Sequence, residues 1–208
     1  MSRGSEELIT SRKNEIINAF EELYQTISFR NISMREIGEK TSMTRSSIYN
    51  YFQTKEEIFL ALITREFQSW CSVLQEIANH DSMTLTEFAE AIASSLQERR
   101  YFLKLISWNH YELEENSRTE RLAEVQHVTY NAMQTILVCL DKFFPSMTDT
   151  AKKEFQQNFF IFLYGIDSYT NGSNNQKKAM EYADIPYYPI QIHDAVYTFI
   201  LHYLKQEV

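Results

Sequence analysis

Glycine and proline are scarce in this chain of 208 residues: four of the first and three of the second. An all-β fold needs far more of both for its turns, so the scarcity favours a mainly helical protein. Cysteine is nearly absent. Cys71 and Cys139 each lie among helix-forming apolar residues with no third or fourth ligand nearby, which reads as two reduced, partly buried thiols and not as a metal site. No apolar run approaches the ~18–20 residues that span a bilayer. The opening residues, Met1 to Thr10, hold Arg3, Glu6 and Glu7 and no apolar stretch of signal-peptide length, so a cytoplasmic location is expected. Gly-rich phosphate loops, nucleophile elbows and zinc spacings are missing too. His110-Tyr111-Glu112-Leu113-Glu114-Glu115 and His193-Asp194 are the clusters that tempt toward catalysis, but the glutamate run reads more simply as a solvated surface. No enzymatic activity, cofactor or metal is expected.

What is present is apolar and aromatic: 44% hydrophobic residues and 14% Phe, Trp and Tyr, enough to bury a sizeable core. The net charge of −8 argues at first against a nucleic-acid partner. Its distribution matters more. Residues 1–66 carry nine Lys/Arg against ten Asp/Glu, whereas residues 67–208 carry eleven against eighteen. The acidity sits in the second part, and any DNA-binding surface must be a local basic one in the first.

Apolar positions 16, 17, 20, 23, 24 and 27 form the stripe of an amphipathic helix over 12–27. Ser33-Met34-Arg35-Glu36 is a capping box that opens a helix to about Lys40. Thr41-Ser42-Met43 makes a short turn, and Thr44 caps a second short helix to about Tyr51. Thr54-Lys55-Glu56-Glu57 is a further capping box, opening a long helix. Beyond it, helices are expected at about 84–97, 99–111, 119–144, 149–170 and 191–206, with a flexible connection from Asn171 and a short helix around 178–183.

Two short helices joined by a three-residue turn describe a helix-turn-helix, whose second helix lies in the major groove. Ile37, Met43, Ile48 and Phe52 supply its small core. Gly38, mid-helix, suggests close approach of the second helix. Residues 40–55 contain three bases, Lys40, Arg45 and Lys55, and no acid. Both flanking capping boxes place Glu at the third helical position, where the helix opened by Thr44 has Ser47. A carboxylate there would face phosphate, so its absence suits a DNA-facing end.

Residues 16–59, and above all the run Ile48-Tyr49-Asn50-Tyr51-Phe52-Gln53-Thr54-Lys55-Glu56-Glu57-Ile58, resemble the N-terminal domain of TetR-type bacterial regulators. The resemblance implies an all-α protein: a three-helix helix-turn-helix domain over 1–53, then a larger helical domain over 54–208 that binds an effector and dimerises. It implies that Arg35, Arg45 and Ser46 reach base edges, with Arg45 the best candidate for a bidentate contact to guanine. Ser33, Thr44, Ser47, Tyr49, Tyr51 and Lys55 would hold phosphates, with the amide at the start of the Lys55 helix. Arg12, Lys13 and Arg3 would add backbone or minor-groove contacts. Ser28 and Ser42 depart from the family, which usually has Gly in these turns; a positive φ at Ser42 would bring strain.

In the second domain Trp108, His110, Tyr111, Tyr130 and Tyr164 are the candidates for a ligand pocket, because they join an aromatic face to a polar tip. Phe155, Phe159, Phe162 and Ile166 make one apolar stripe, and Val196, Phe199, Ile200 and Tyr203 another. At the end of a chain of this size they suggest a homodimer interface, and the family implies the same across a two-fold axis. The expected function is a DNA-binding transcriptional regulator, a repressor released from a pseudo-palindromic operator by a small-molecule effector. The alternatives are a TetR-like DNA-binding protein without an effector, in an architectural or cell-cycle role, and a protein-interaction module that has lost DNA binding. The intact set of Arg35, Arg45, Tyr49 and Lys55 argues against the last.

Overall fold

A computed structural model describes residues 3–108 and 110–205. The side chains of Arg3 and His110 lie outside that description, and with them the arm contact and the pocket role expected of these two residues. Every regular element among the described residues is a helix. The chain divides into two compact units, residues 1–66 with 109–127 and residues 67–108 with 128–208.

The first unit holds α1 (Arg3–Thr26), a 3-10 turn (Phe29–Asn31), α2 (Met34–Glu39), α3 (Arg45–Ile48), the opening turns of α4 (Lys55–Ala78), α7 (His110–Glu115) and the start of α8 (Thr119–Phe143). The α1 stripe predicted from Ile16 to Tyr24 is buried. The helix itself begins well before residue 12, where polar side chains hide it from periodicity. Phe59 of α4 sits at the centre of the unit. It meets Phe20, Tyr24 and Phe29 edge-on, at centroid distances of 5.9, 5.3 and 5.1 Å. Such pairs contribute about 0.5–1.5 kcal/mol each beyond area burial. Ile37, Ile48 and Phe52 are enclosed as expected, while Met43 is half-buried. The unit does not stop near residue 53: it takes in the first turns of α4 and a segment from the middle of the chain.

The second unit holds the remainder of α4 and α8, with α5 (Leu85–Gln97), α6 (Arg100–Ile106), α9 (Asp149–Thr170), α10 (Asn174–Tyr182) and α11 (Ile192–Leu204). Its core is aromatic. Phe102 lies 4.7 Å from Phe67 and 5.7 Å from Trp70, whose indole N–H donates to the Ser95 hydroxyl at 3.2 Å. The helix expected over 99–111 is two. Ser107 closes α6 by donating to the Leu103 and Leu105 carbonyls, and α7 belongs to the first unit. Ser173 caps α10, which therefore begins earlier than 178.

The two stripes read as a subunit interface are for the most part the chain's own core. Phe155, Phe159, Val196 and Ile200 are wholly enclosed, and Ile166 nearly so. α11 packs chiefly on α5 and also meets α9, where Phe155 stacks on Phe159 and meets Tyr203 edge-on, both at 5.5 Å. Phe162, Phe199 and Tyr203 are half-buried, with Phe162 stacked on Phe199 at 4.5 Å. The apolar residues that α9 exposes are different ones, Ile161 (69%) and Tyr169 (74%). Gly165 lies between them, and a Cβ built there meets nothing within 4 Å.

Candidate nucleic-acid interface

Local chemistry builds the α2–α3 pair. The Ser33 hydroxyl accepts from the Glu36 amide at 3.3 Å, and the Ser33 amide donates to the Glu36 carboxylate at 2.9 Å, completing the predicted capping box. Thr44 caps α3 through the Ser47 amide at 3.2 Å. α3 is only four residues long. It ends in a tight turn in which Tyr51 N–H donates to the Ile48 carbonyl at 2.9 Å, so the expected helix to Tyr51 is half helix and half turn. The intervening turn is held by α1. Arg12 donates to Glu15 at 3.0 Å and to the Ser42 hydroxyl at 2.8 Å, while the Ser42 amide donates to Glu15. The Ser42 hydrogen bonds hold the Glu15 carboxyl below the usual carboxylate range. Neither Ser28 nor Ser42 takes a positive φ, so the strain that would follow from Ser in place of Gly does not arise.

This framework leaves a polar surface facing outward. Arg35 is 79% exposed, its guanidinium turned to Glu39 at 2.9 Å. Arg45 and Ser46 are exposed on the first turn of α3. The Arg45 guanidinium donates to the Tyr49 hydroxyl at 3.1 Å and stands 5.7 Å from the ring centroid, which extends both side chains along one face. Ser33 and Thr44 are exposed, and Ser47 is half-buried with its hydroxyl 2.9 Å from that of Thr44. These are cationic and hydroxyl groups of the kind that contact base edges and phosphates.

One expected phosphate ligand has other partners in the structure. The Lys55 ammonium donates to the carbonyls of Phe29 (2.9 Å) and Arg30 (3.3 Å) and lies 4.5 Å from the centre of the Phe29 ring. It ties the start of α4 to the 3-10 turn. Tyr51 is half-buried, and its carbonyl accepts from Arg121 at 3.0 Å. The second capping box is realised by half: Thr54 caps the Glu57 amide at 3.2 Å, but the Glu57 carboxylate accepts from Gln53 N–H at 2.8 Å.

Sequence reasoning missed the partners of this carboxylate. Glu57 is fully buried. The Arg118 guanidinium grips it bidentately, at 2.6 and 2.8 Å, and the Arg118 amide adds a third contact at 3.3 Å. Burial alone would raise its pKa; the Arg118 and Gln53 hydrogen bonds outweigh that and hold it below the usual range. Arg121 lies 5.2 Å from the Phe52 ring, and the Thr54 hydroxyl donates to the Asn116 carbonyl at 2.9 Å. No local pattern signals contacts across more than sixty positions.

Tyr111 (79% exposed) and Tyr130 (57%) stand in solvent, because each points away from its helix's buried face. Trp108 and Tyr164 are half-buried in the second unit, where burial pushes the Tyr164 hydroxyl pKa up. Among the described residues no His, Cys, Asp or Glu group is placed to hold a metal ion, and no helix is long and apolar enough to cross a membrane.

A capped α2, a short turn and a basic α3 define a helix-turn-helix regulator. Residues 16–62 match the family of bacterial regulatory proteins named for TetR, and residues 64–205 match the tetracyclin repressor-like C-terminal domain. The chain belongs to the TetR family and is a DNA-binding transcriptional regulator. Among solved structures it is similar to a Mesorhizobium loti protein described as a TetR-family transcriptional regulator, at 17% identity over 100% of both chains with a TM-score of 0.61. It is also similar to the TetR-family repressor AlkX from Dietzia sp., implicated in biodegradation of n-alkanes. That identity is 10%, over 93% of this chain and 95% of the other, with a TM-score of 0.52. No curated protein matches the chain.

Proposed function

We propose that the chain is a cytoplasmic repressor that binds a pseudo-palindromic operator as a homodimer and is released by a small-molecule effector. The observation that carries the DNA-reading part is the outward set Arg35, Arg45, Ser46 and Tyr49 on a helix pair whose second member lies in a run free of acid from Lys40 to Lys55. Arg45 reads a base, and Ser33, Thr44 and Ser47 hold phosphates. The dimer is supported by Ile161 and Tyr169, which flank Gly165 on the outer side of α9 at helical spacing. Trp108 and Tyr164, half-buried aromatics with polar tips, support an effector site in the second unit.

Footprinting on DNA upstream of its own reading frame tests the central claim. Arg45→Ala loses about 1–3 kcal/mol of discrimination between operator and unrelated duplex while the protein stays folded. Unchanged selectivity removes Arg45 from base reading. Repeating the footprint with fractionated cell extract tests release: a fraction that clears the operator identifies the effector class, and DNA binding indifferent to every fraction favours a regulator without one.

A further inference from the structure

The recognition helix is the shortest α-helix described in the first unit. It has four helical residues, one of them buried, and a tight turn on its C-terminal side. A helix this short holds no pose by its own hydrogen bonds. Something must fix the angle at which Arg45 and Tyr49 meet the groove. α1 holds the turn before it, through Arg12 and Glu15 on Ser42. The turn after it, Tyr51–Gln53, is held by a segment from the middle of the chain.

From this we infer that Arg121, with the Glu57–Arg118 pair behind it, positions the recognition helix for operator reading, so that the DNA-reading machinery includes residues 116–121. The inference rests on the DNA-binding reading above. Arg121 is fixed from both sides: it donates to the Tyr51 carbonyl at 3.0 Å, lies over Phe52 at 5.2 Å, and pairs with Glu124 at 2.7 Å. Its side chain is 13% exposed, so it is placed to hold the helix rather than to touch a phosphate. Behind it, Glu57 takes hydrogen bonds from Gln53 on one side and Arg118 on the other, locking the α3–α4 corner to the start of α8. Charge-assisted, bidentate and buried contacts are the stiff ones. α8 runs unbroken from Thr119 to Phe143, so the residue that grips the recognition helix shares a helix with Val128, Thr129 and Ala132, buried in the second unit.

The test is the ratio of affinities for a duplex selected from a randomised library and for an unrelated duplex, measured with the full chain across salt concentrations. Arg121→Ala is expected to lower the ratio about tenfold, the loss of one charge-assisted hydrogen bond of ~1.4 kcal/mol. The salt slope stays that of the wild type, because no phosphate contact is lost; a phosphate ligand would flatten it by about 0.9. Arg121→Lys keeps a cation and a donor and gives an intermediate ratio, which a general loss of folded protein would not. An unchanged ratio in both variants, or a flattened slope, overturns the positioning role. A wild-type protein without preference for any duplex overturns the DNA-binding reading first and this inference with it.

Discussion

Gly38 lies where α2 crosses α3, in a helix interior where glycine costs about 1 kcal/mol relative to alanine. Its place in the sequence suggests that a side chain would force the helices apart. The geometry is more permissive: a Cβ at this position would stand 3.6 Å from Ile48 Cδ1 and 4.0 Å from Arg45 Cα, ordinary contact distances. A methyl group fits, and anything longer runs toward the Arg45 backbone. Gly38→Ala is therefore expected to raise the melting temperature modestly and leave operator affinity intact. Gly38→Leu is expected to splay α3 and lose operator affinity. Thermal melts and a binding titration on the two variants check this; loss of binding with alanine would mean that the crossing tolerates no side chain at all. Arg45 is the opposite case at the same scale. Its exposed guanidinium donates to Tyr49, so on the proposed reading its removal strips the DNA-facing surface without touching the core.

At the scale of elements, what the sequence makes legible is what needs only near neighbours. Ser33 with Glu36, and Thr44 with Ser47, are i, i+3 arrangements, and both form as expected. The α1 stripe is legible for the same reason. Lys55 shows what near neighbours leave out: a basic residue opening a helix looks like a phosphate ligand, and its partners within the chain are carbonyls twenty-five and twenty-six positions earlier. α9 and α11 show a different limit: periodicity tells which side is apolar but not which neighbour covers it, and here α11 lies mainly on α5 while α9 also meets α6. α11 is also tied to α5 by charge. His193 Nε2 lies 2.9 Å from Glu90 and Nδ1 3.3 Å from Asp194, and these contacts, Glu90 first, raise the imidazole pKa. A raised folded pKa stabilises fully below the unfolded value and ceases to do so as pH climbs through the folded one. His193→Gln should thus lower the melting temperature at about pH 6 and cost little at about pH 9, a small effect because the pair is open to solvent. Melting both proteins across that range is decisive: a penalty independent of pH would mean that the bond forms with a neutral ring.

On the proposed reading the whole molecule places two recognition helices on one duplex, and a single chain supplies one. A dimer of this kind would not be joined by Phe155, Phe159, Val196 or Ile200, which have no surface left to offer. Ile161, Gly165 and Tyr169 recur every fourth position along α9, so they stack on one side of the helix. Two of them are large and exposed, and the third opens a gap between them. A glycine inside an exposed helix weakens that helix with no return from within the chain. Close approach of a second helix would supply one. Ile161→Glu, alone and with Tyr169→Glu, should therefore yield a monomer in analytical ultracentrifugation, with secondary structure unchanged because neither side chain contributes to the core. Operator affinity should collapse with the dimer, since each half-site held alone loses the advantage of its tethered partner. Affinity for unrelated DNA per chain should hardly change. If the double variant sediments as a dimer, the two chains meet elsewhere and the exposed side of α9 serves another contact.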